Sequence, residues 1–251
     1  IVFGDWSSDV CSSDLGRPTM TGLASNIGIR RARGDFILNT TMDHLYSEGF
    51  SRRLAERLLD PWCLYRIPRY DVDRRILDIQ GSAARLNYGL SHVLRRYGLL
   101  SLNLGPGLPN LFTNACGDFQ LLSRQAWQTL RGFREADVAG MHIDSLLSYA
   151  AFALGIKERV WEDLRLYHID HDAGSQQSLK TRVTESGAKE FVRDGVKVHD
   201  WEYYASLLRG LVLGQVNPIF NDQDWGAAGE DFPEIIIHQA AWSRGVEAEG
   251  G

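Results

Sequence analysis

Residues 24–44 read ASNIGIRRARGDFILNTTMDH, and the change of pattern inside this stretch decides the fold class. Thr21 to Arg33 reads as the end of a helix. Arg30, Arg31 and Arg33 fall in its last turn, where cations face the negative end of the helix dipole. Gly34 closes the helix, because glycine enters the left-handed conformation at little cost. Asp35 to Asn39 then reads as a short buried strand, followed by a polar stretch from Thr40 to His44. A helix that hands over to a buried strand within a few residues is the repeating unit of α/β architecture.

Elements on the C-terminal side continue the alternation. Ser47 predicts the cap of a helix through Asp60, with Phe50, Leu54, Ala55, Leu58 and Leu59 as its apolar stripe and Pro61 as its stop. Cys63 to Val72 predicts a strand, in which Pro68 implies an edge position or a bulge. Residues 73–115 hold a helical stretch near Leu90 to Tyr97, then a Gly/Pro/Asn-rich loop from Asn103 to Asn114. A loop of that length is more often functional than idle. Phe119 to Leu122 predicts a strand, and Arg124 to Leu130 a short helix ending at Gly132. Ile143, Leu146, Leu147, Ala150, Ala151 and Leu154 recur at helical spacing and end at Gly155. Val160 to Ile169 predicts a strand running into His168 and His171. Strands alternating with helices imply an α/β fold with a mostly parallel sheet over residues 16–175. Residues 176–251 are expected to be a helical extension packed on it, with Trp201 to Leu213 as the clearest helix.

The opening residues differ in kind. Asp5 to Leu15, DWSSDVCSSDL, resembles one reading frame of a short-read sequencing adapter over its whole length, so residues 1–15 are expected to be an artefactual, disordered segment. On that expectation the sequence that naturally precedes Gly16 is missing. Removing Asp5, Asp9 and Asp14 brings the formal charge from −5 to −2. Neither value offers the positive field that a nucleic-acid binder needs. Cys63 and Cys116 form no motif, which fits a reducing compartment and a cytoplasmic location. No apolar run reaches the length that spans a bilayer, which leaves peripheral association as the only membrane contact to consider.

Three features can carry chemistry. Asp43 follows the strand Phe36 to Leu38, Asp144 opens the long helix, and His168 and His171 follow the last strand. Ligands of open α/β sheets bind at the carboxyl ends of strands. There a carboxylate and an imidazole could hold a divalent cation, while a second carboxylate serves as base. Each residue also has a plainer use. Asp43 suits a turn, and Asp144 suits the first turn of a helix. The spacing of His168 and His171 differs from the i, i+4 of metal-binding helices.

The segment Ala24 to Phe36 resembles the A-x-N-x-G-x-x-x-A-x-G-[DE]-[FY] signature of family 2 glycosyltransferases. Further pieces follow in that family's order: Gly117-Asp118-Phe119 with Arg124, then Arg131-Gly132-Phe133-Arg134-Glu135, then Ile143-Asp144. The resemblance covers about Ala24 to His171. It implies a nucleotide-binding fold of the GT-A type and transfer of a sugar from a nucleotide-sugar donor to the hydroxyl of a glycan or other acceptor, with inversion and with Mg²⁺ or Mn²⁺. Asp43 then matches the second aspartate of an Asp-x-Asp metal motif, His168 or His171 a further metal ligand, and Asp144 the catalytic base. Asn26 and Arg30 would border the donor, and Asp118 would bind the acceptor. Thr41 stands where the family's first aspartate would be, keeping a hydroxyl but no charge on the donor side. A non-catalytic binding module of the same fold is the alternative that this departure leaves open. The family's opening strands, which grip the nucleotide base, have no counterpart in residues 1–23. An incomplete sheet with an open edge is therefore expected, and weak nucleotide binding with it. Titration of UDP and GDP with Mn²⁺ tests this, and micromolar affinity would refute it.

Overall fold

The computed structural model describes residues 2–4, 21–41, 43–97, 108–114, 116–135, 142–170, 179–184, 189–193, 196–198 and 201–232. The strands in chain order are β1 (Val2–Gly4), β2 (Phe36–Thr40), β3 (His44–Tyr46), β4 (Cys63–Arg66), β5 (Arg69–Val72) and β6 (Val93–Tyr97). They continue with β7 (Phe119–Ser123), β8 (Lys157–Val160), β9 (Leu166–Ile169), β10 (Leu179–Val183), β11 (Lys189–Arg193) and β12 (Val196–Val198). The helices are α1 (Thr21–Arg31), α2 (Gly49–Ala55), α3 (Ser82–Ser91), α4 (Arg124–Leu130), α5 (Ile143–Ala153) and α6 (Trp201–Val212). Short 3₁₀ turns lie at Arg74–Asp78 and Cys116–Asp118.

The strands form a five-stranded sheet in the order β1-β2-β7-β4-β8 and a four-stranded sheet in the order β3-β9-β5-β6. Both are mixed, where the sequence implied mostly parallel pairing. In the larger sheet β7 runs against both of its neighbours, so only the outer pairs β1–β2 and β4–β8 are parallel. β7 carries no polar–apolar alternation that could betray its direction. All five of its residues are buried, because α4, α5 and α6 cover one face and Phe50, Trp161 and Leu166 pack on the other. Val2–Gly4 pairs in parallel with Ile37–Asn39, which covers the edge of β2 that was expected to stand open. The segment 5–15 lies outside the described residues.

The period of two along each strand builds two cores. Ile37, Leu64 and Leu122 face α4, α5 and α6 in one cluster with Trp127, Leu146, Tyr149 and Leu208. Leu38, Tyr65, Phe119 and Leu121 point the other way, onto Phe50, Trp161 and Leu166. Burial of each such side chain contributes roughly 1.5–3 kcal/mol before conformational entropy is subtracted. Trp127 is fully buried, and its indole N–H donates to the carbonyl of Ile37 at 3.1 Å, tying α4 to β2.

Several boundaries depart from expectation. The helix predicted through Asp60 ends at Ala55, and Leu58 is 79 % exposed. Ser47 does not cap that helix; its hydroxyl instead accepts from the N–H of Arg165 at 3.1 Å. The stretch expected to be helical at Leu90 to Tyr97 is the end of α3 followed by β6, which pairs antiparallel with β5. Cys63–Val72 is two strands separated at Ile67-Pro68, and Val160–Ile169 likewise splits around residues 161–165. The C-terminal region, expected to be helical, contains the antiparallel meander β10-β11-β12 before α6.

These two breaks share a cause that positions the site. β2, β4 and β8 each leave the larger sheet and continue, after a few residues, as β3, β5 and β9 of the smaller one. Each of the three crossings is bonded to a strand beside it. Trp161 N–H donates to Arg66 C=O (2.9 Å), Leu166 N–H to Pro68 C=O (3.1 Å) and Ile169 N–H to Asp43 C=O (2.9 Å). Pro68 fits here because its position is a crossing, where no ladder bond is lost.

Candidate metal centre

Register across the smaller sheet brings the site together. His44 of β3 stands opposite His168 of β9, and His168 stands beside Asp71 of β5. Because side chains alternate, Arg69 and Asp71 share one face with His168 and His44. Tyr70, Val72, Tyr167 and Leu45 fall on the other face and form its apolar cluster. A row of polar side chains is thus held by strands whose reverse side is hydrophobic. Asp43 joins the row from the first crossing, and Asp118 from the turn preceding β7.

His168 Nε2 lies 3.0 Å from Asp43 Oδ2, and His168 Nδ1 lies 3.0 Å from Asp71 Oδ1. His44 Nε2 lies 3.6 Å from Asp43 Oδ1 and 3.8 Å from Asp118 Oδ2. Arg69 closes the cluster, donating to Asp71 Oδ1 (2.6 Å) and to Asp118 Oδ2 (2.8 Å). Thr41 Oγ1 donates to Asp43 Oδ1, and Thr40 Oγ1 pairs with His44 Nδ1 at 3.1 Å and with Tyr46 Oη at 2.7 Å. The histidines and Asp71 are buried, whereas the Asp43 side chain keeps 29 % of its exposure, so the cluster opens to solvent at Asp43.

The electrostatics separate the two imidazoles. Burial depresses the pKa of His44, outweighing Asp118 and Asp43, so it is held neutral. Burial also opposes charge on His168, but its bonds to Asp43 and Asp71 prevail and push it up to about 9. Asp71 is buried too, yet the hydrogen bonds from His168 and Arg69 hold it below the usual carboxylate range. His168 Nδ1 has two rivals, since Arg69 Nη2 also lies 2.8 Å away. Only Asp71 can accept a proton from that nitrogen, so the protonated ring takes Asp71 as its partner.

Asp43, His44 and His168 offer three ligand atoms within 4.8 Å of one another, the spacing that a single cation can bridge. A tetrahedral ion with bonds of about 2.0–2.1 Å sets its ligands about 3.4 Å apart, so a modest closure of the triad suffices. The chemistry of the set fits a divalent ion: a carboxylate oxygen and two imidazole nitrogens, each ring with its other nitrogen engaged.

The sequence-derived residues therefore divide. Thr41, Asp43, Asp118 and His168 meet. Asp118 is engaged by Arg69 on the oxygen that also faces His44, a use different from the expected acceptor contact. Asp144 lies beside Gly117, the residue preceding Asp118. A Cβ on Gly117 would come within 3.2 Å of Asp144 Oδ2, and Asp144 Oδ1 accepts from the N–H of Ser145 at 2.8 Å. His171 lies outside the described residues.

Asn26 and Arg30 belong to another constellation. Asn26 is fully buried and exchanges hydrogen bonds with Phe133 (N–H to Oδ1, 2.7 Å; Nδ2 to C=O, 2.7 Å) while also reaching Glu135. Arg30 donates to the carbonyls of Gln223 and Trp225 and lies over the Trp225 ring. Both side chains bond to other parts of the chain; the resemblance places them beside a donor. Sequence reading missed His44, Arg69 and Asp71. The signal for the last two was present in the alternation of Arg69-Tyr70-Asp71-Val72, a polar–apolar strand whose polar side is buried. A scan against protein-family models gives no match to this chain, and a search of curated proteins gives none either.

Proposed function

We propose that this chain carries the metal-binding part of a glycosyltransferase, which moves a sugar from a nucleotide-sugar donor to an acceptor hydroxyl with inversion. One observation supports the reading above the others. Asp43, from the strand-end position of the signature, and His168, from the far end of the domain, meet at 3.0 Å. The same reading includes a GT-A-like arrangement of the larger sheet. Asp43, His168 and His44 would hold a divalent cation, Mg²⁺ or Mn²⁺ in the family's usual chemistry. A cation there would supply positive charge to a departing diphosphate.

The chain's own residues do the rest. Thr41 orients the Asp43 carboxylate through its hydroxyl. Arg69 donates to both Asp118 and Asp71 and fixes their carboxylates in the row. Asp144, beside Gly117, is the base that would take the proton of the acceptor hydroxyl.

Transfer from UDP- and GDP-sugars in the presence of Mn²⁺, measured as released nucleoside diphosphate, tests the proposal. Asp144→Asn should lower turnover by about 10²–10⁴-fold while donor affinity stays within a factor of two or so, as expected for loss of a general base. Donor binding without turnover in either protein would favour the binding module. Arg69 already pairs with two of the carboxylates, which gives that second reading its support.

A further inference from the structure

Both imidazoles of the metal centre are held by their Nδ1 atoms. Asp71 Oδ1 lies 3.0 Å from His168 Nδ1, and Thr40 Oγ1 lies 3.1 Å from His44 Nδ1, with Tyr46 Oη a further 2.7 Å behind Thr40. Each ring therefore turns its Nε2 toward the same carboxylate, at 3.0 and 3.6 Å from the two oxygens of Asp43. Outer partners on Nδ1 fix both tautomer and orientation in histidine metal sites, and they raise the basicity of the ligating nitrogen. Two independently positioned rings converging on one carboxylate are more than an acidic cluster, which would attract any hard cation.

From this geometry we infer that His44 is a metal ligand alongside Asp43 and His168, and that the site takes a first-row transition cation of the Co²⁺ or Zn²⁺ class in preference to Mg²⁺. The inference concerns the same site as the proposed transferase. Its physical basis is ligand preference. Mg²⁺ demands near-octahedral oxygen coordination and gives up its water reluctantly, so two imidazoles are poor partners for it. Imidazole nitrogen suits borderline cations, whose affinity at nitrogen and oxygen sites rises toward the right of the first row. Two of the three ligand atoms here are imidazole nitrogens, which decides between the classes. The exposed side of Asp43 leaves room for solvent or substrate to complete the coordination.

Titration of the full chain with Co²⁺, in the absence of any nucleotide, tests the inference. Visible d–d absorption should grow to a 1:1 end point, and Mg²⁺ in about thousandfold excess should leave it in place. His44→Ala should weaken Co²⁺ binding by more than the roughly 10–100-fold that loss of an outer partner costs. His44→Cys should retain Co²⁺ and add a thiolate-to-cobalt charge-transfer band in the near ultraviolet, which arises only if position 44 ligates. Thermal unfolding of the metal-free variants checks that each is folded. Displacement of Co²⁺ by equimolar Mg²⁺ would overturn the metal class. An unchanged spectrum and affinity in folded His44→Ala, or a cysteine variant that binds Co²⁺ without the new band, would overturn the role of His44. Failure of the transferase reading is separable: Co²⁺ binding through His44 with no affinity for nucleotide would sustain this inference alone.

Discussion

Asn26 shows how one side chain can resemble a ligand contact and serve the fold. Its amide is fully buried and meets the backbone of Phe133 in both directions, so it replaces a missing piece of secondary structure between α1 and the turn after α4. Gly132 makes room for it. Its φ is +69°, and a Cβ there would sit 2.1 Å from Asn26 Oδ1. Asn26→Ala should destabilise the chain by about 2–4 kcal/mol, because it strands buried backbone groups. Gly132→Ala should cost at least as much, through strain and collision together. Chemical denaturation measures both; a loss below about 1 kcal/mol for either would show that the turn can repack. At the metal centre, Asp71 is a positioning residue. Asp71→Asn should weaken Co²⁺ binding by about 10–100-fold without changing the number of bound ions. Asp43 and His168 were legible as residue types at strand ends. Asp71 and Arg69 were legible only as the polar side of an alternating strand, and His44 not at all, because their role comes from which residues face each other across strands, and that register is set by the whole sheet.

Among elements, the alternation of strands and helices was legible because burial imposes periods of two and 3.6 on the apolar residues. The stretch Leu90–Tyr97 was misread for a related reason. Val93–Tyr97 is an edge strand whose residues are mostly exposed, so no face of it had to be apolar. The segment before β7 is anchored more firmly than a loop of its composition suggests. Glu158 of β8 accepts from the N–H of Phe112 at 2.8 Å, and Arg66 of β4 donates to the carbonyls of Phe112 and Phe119. Burial raises the pKa of Glu158 and outweighs the neighbouring Arg66. A carboxyl whose folded pKa lies above its unfolded value favours the fold most below the unfolded pKa. That contribution fades as pH rises through the folded value. Glu158→Gln keeps the acceptor for Phe112 without the charge. Its melting temperature relative to the parent should therefore improve as pH rises above the unfolded glutamate value of about 4.3. A difference that does not move with pH would mean that Glu158 is ionised throughout and paired with Arg66.

For the whole molecule, the fold class was legible but not the direction of β7, since a strand buried on both faces carries no directional mark. The packing of the C-terminal residues on α1 was also hidden. Arg31 donates to the carbonyls of Gly226, Ala227 and Glu230 and lies over the Phe232 ring, while Arg30 holds Gln223 and Trp225. Basic residues in the last turn of a helix ordinarily complement its own dipole; here they strap a distant segment to it. Arg31→Ala should free that strap at a cost of about 1–3 kcal/mol, since it removes several charge-assisted bonds. Limited proteolysis should then cut within residues 221–232 sooner, and an unchanged cleavage rate would show that Arg30 suffices. The crossings between the two sheets carry a consequence for folding. His168 and Asp71 are 97 residues apart in sequence, and they meet across β9 and β5, which continue β8 and β4 after both strands have changed sheets. Contacts of such separation close late, after local structure has repaid part of the entropy of ordering the chain. The colour of bound cobalt during refolding would then act as a clock for the final step, lagging the return of helical circular dichroism.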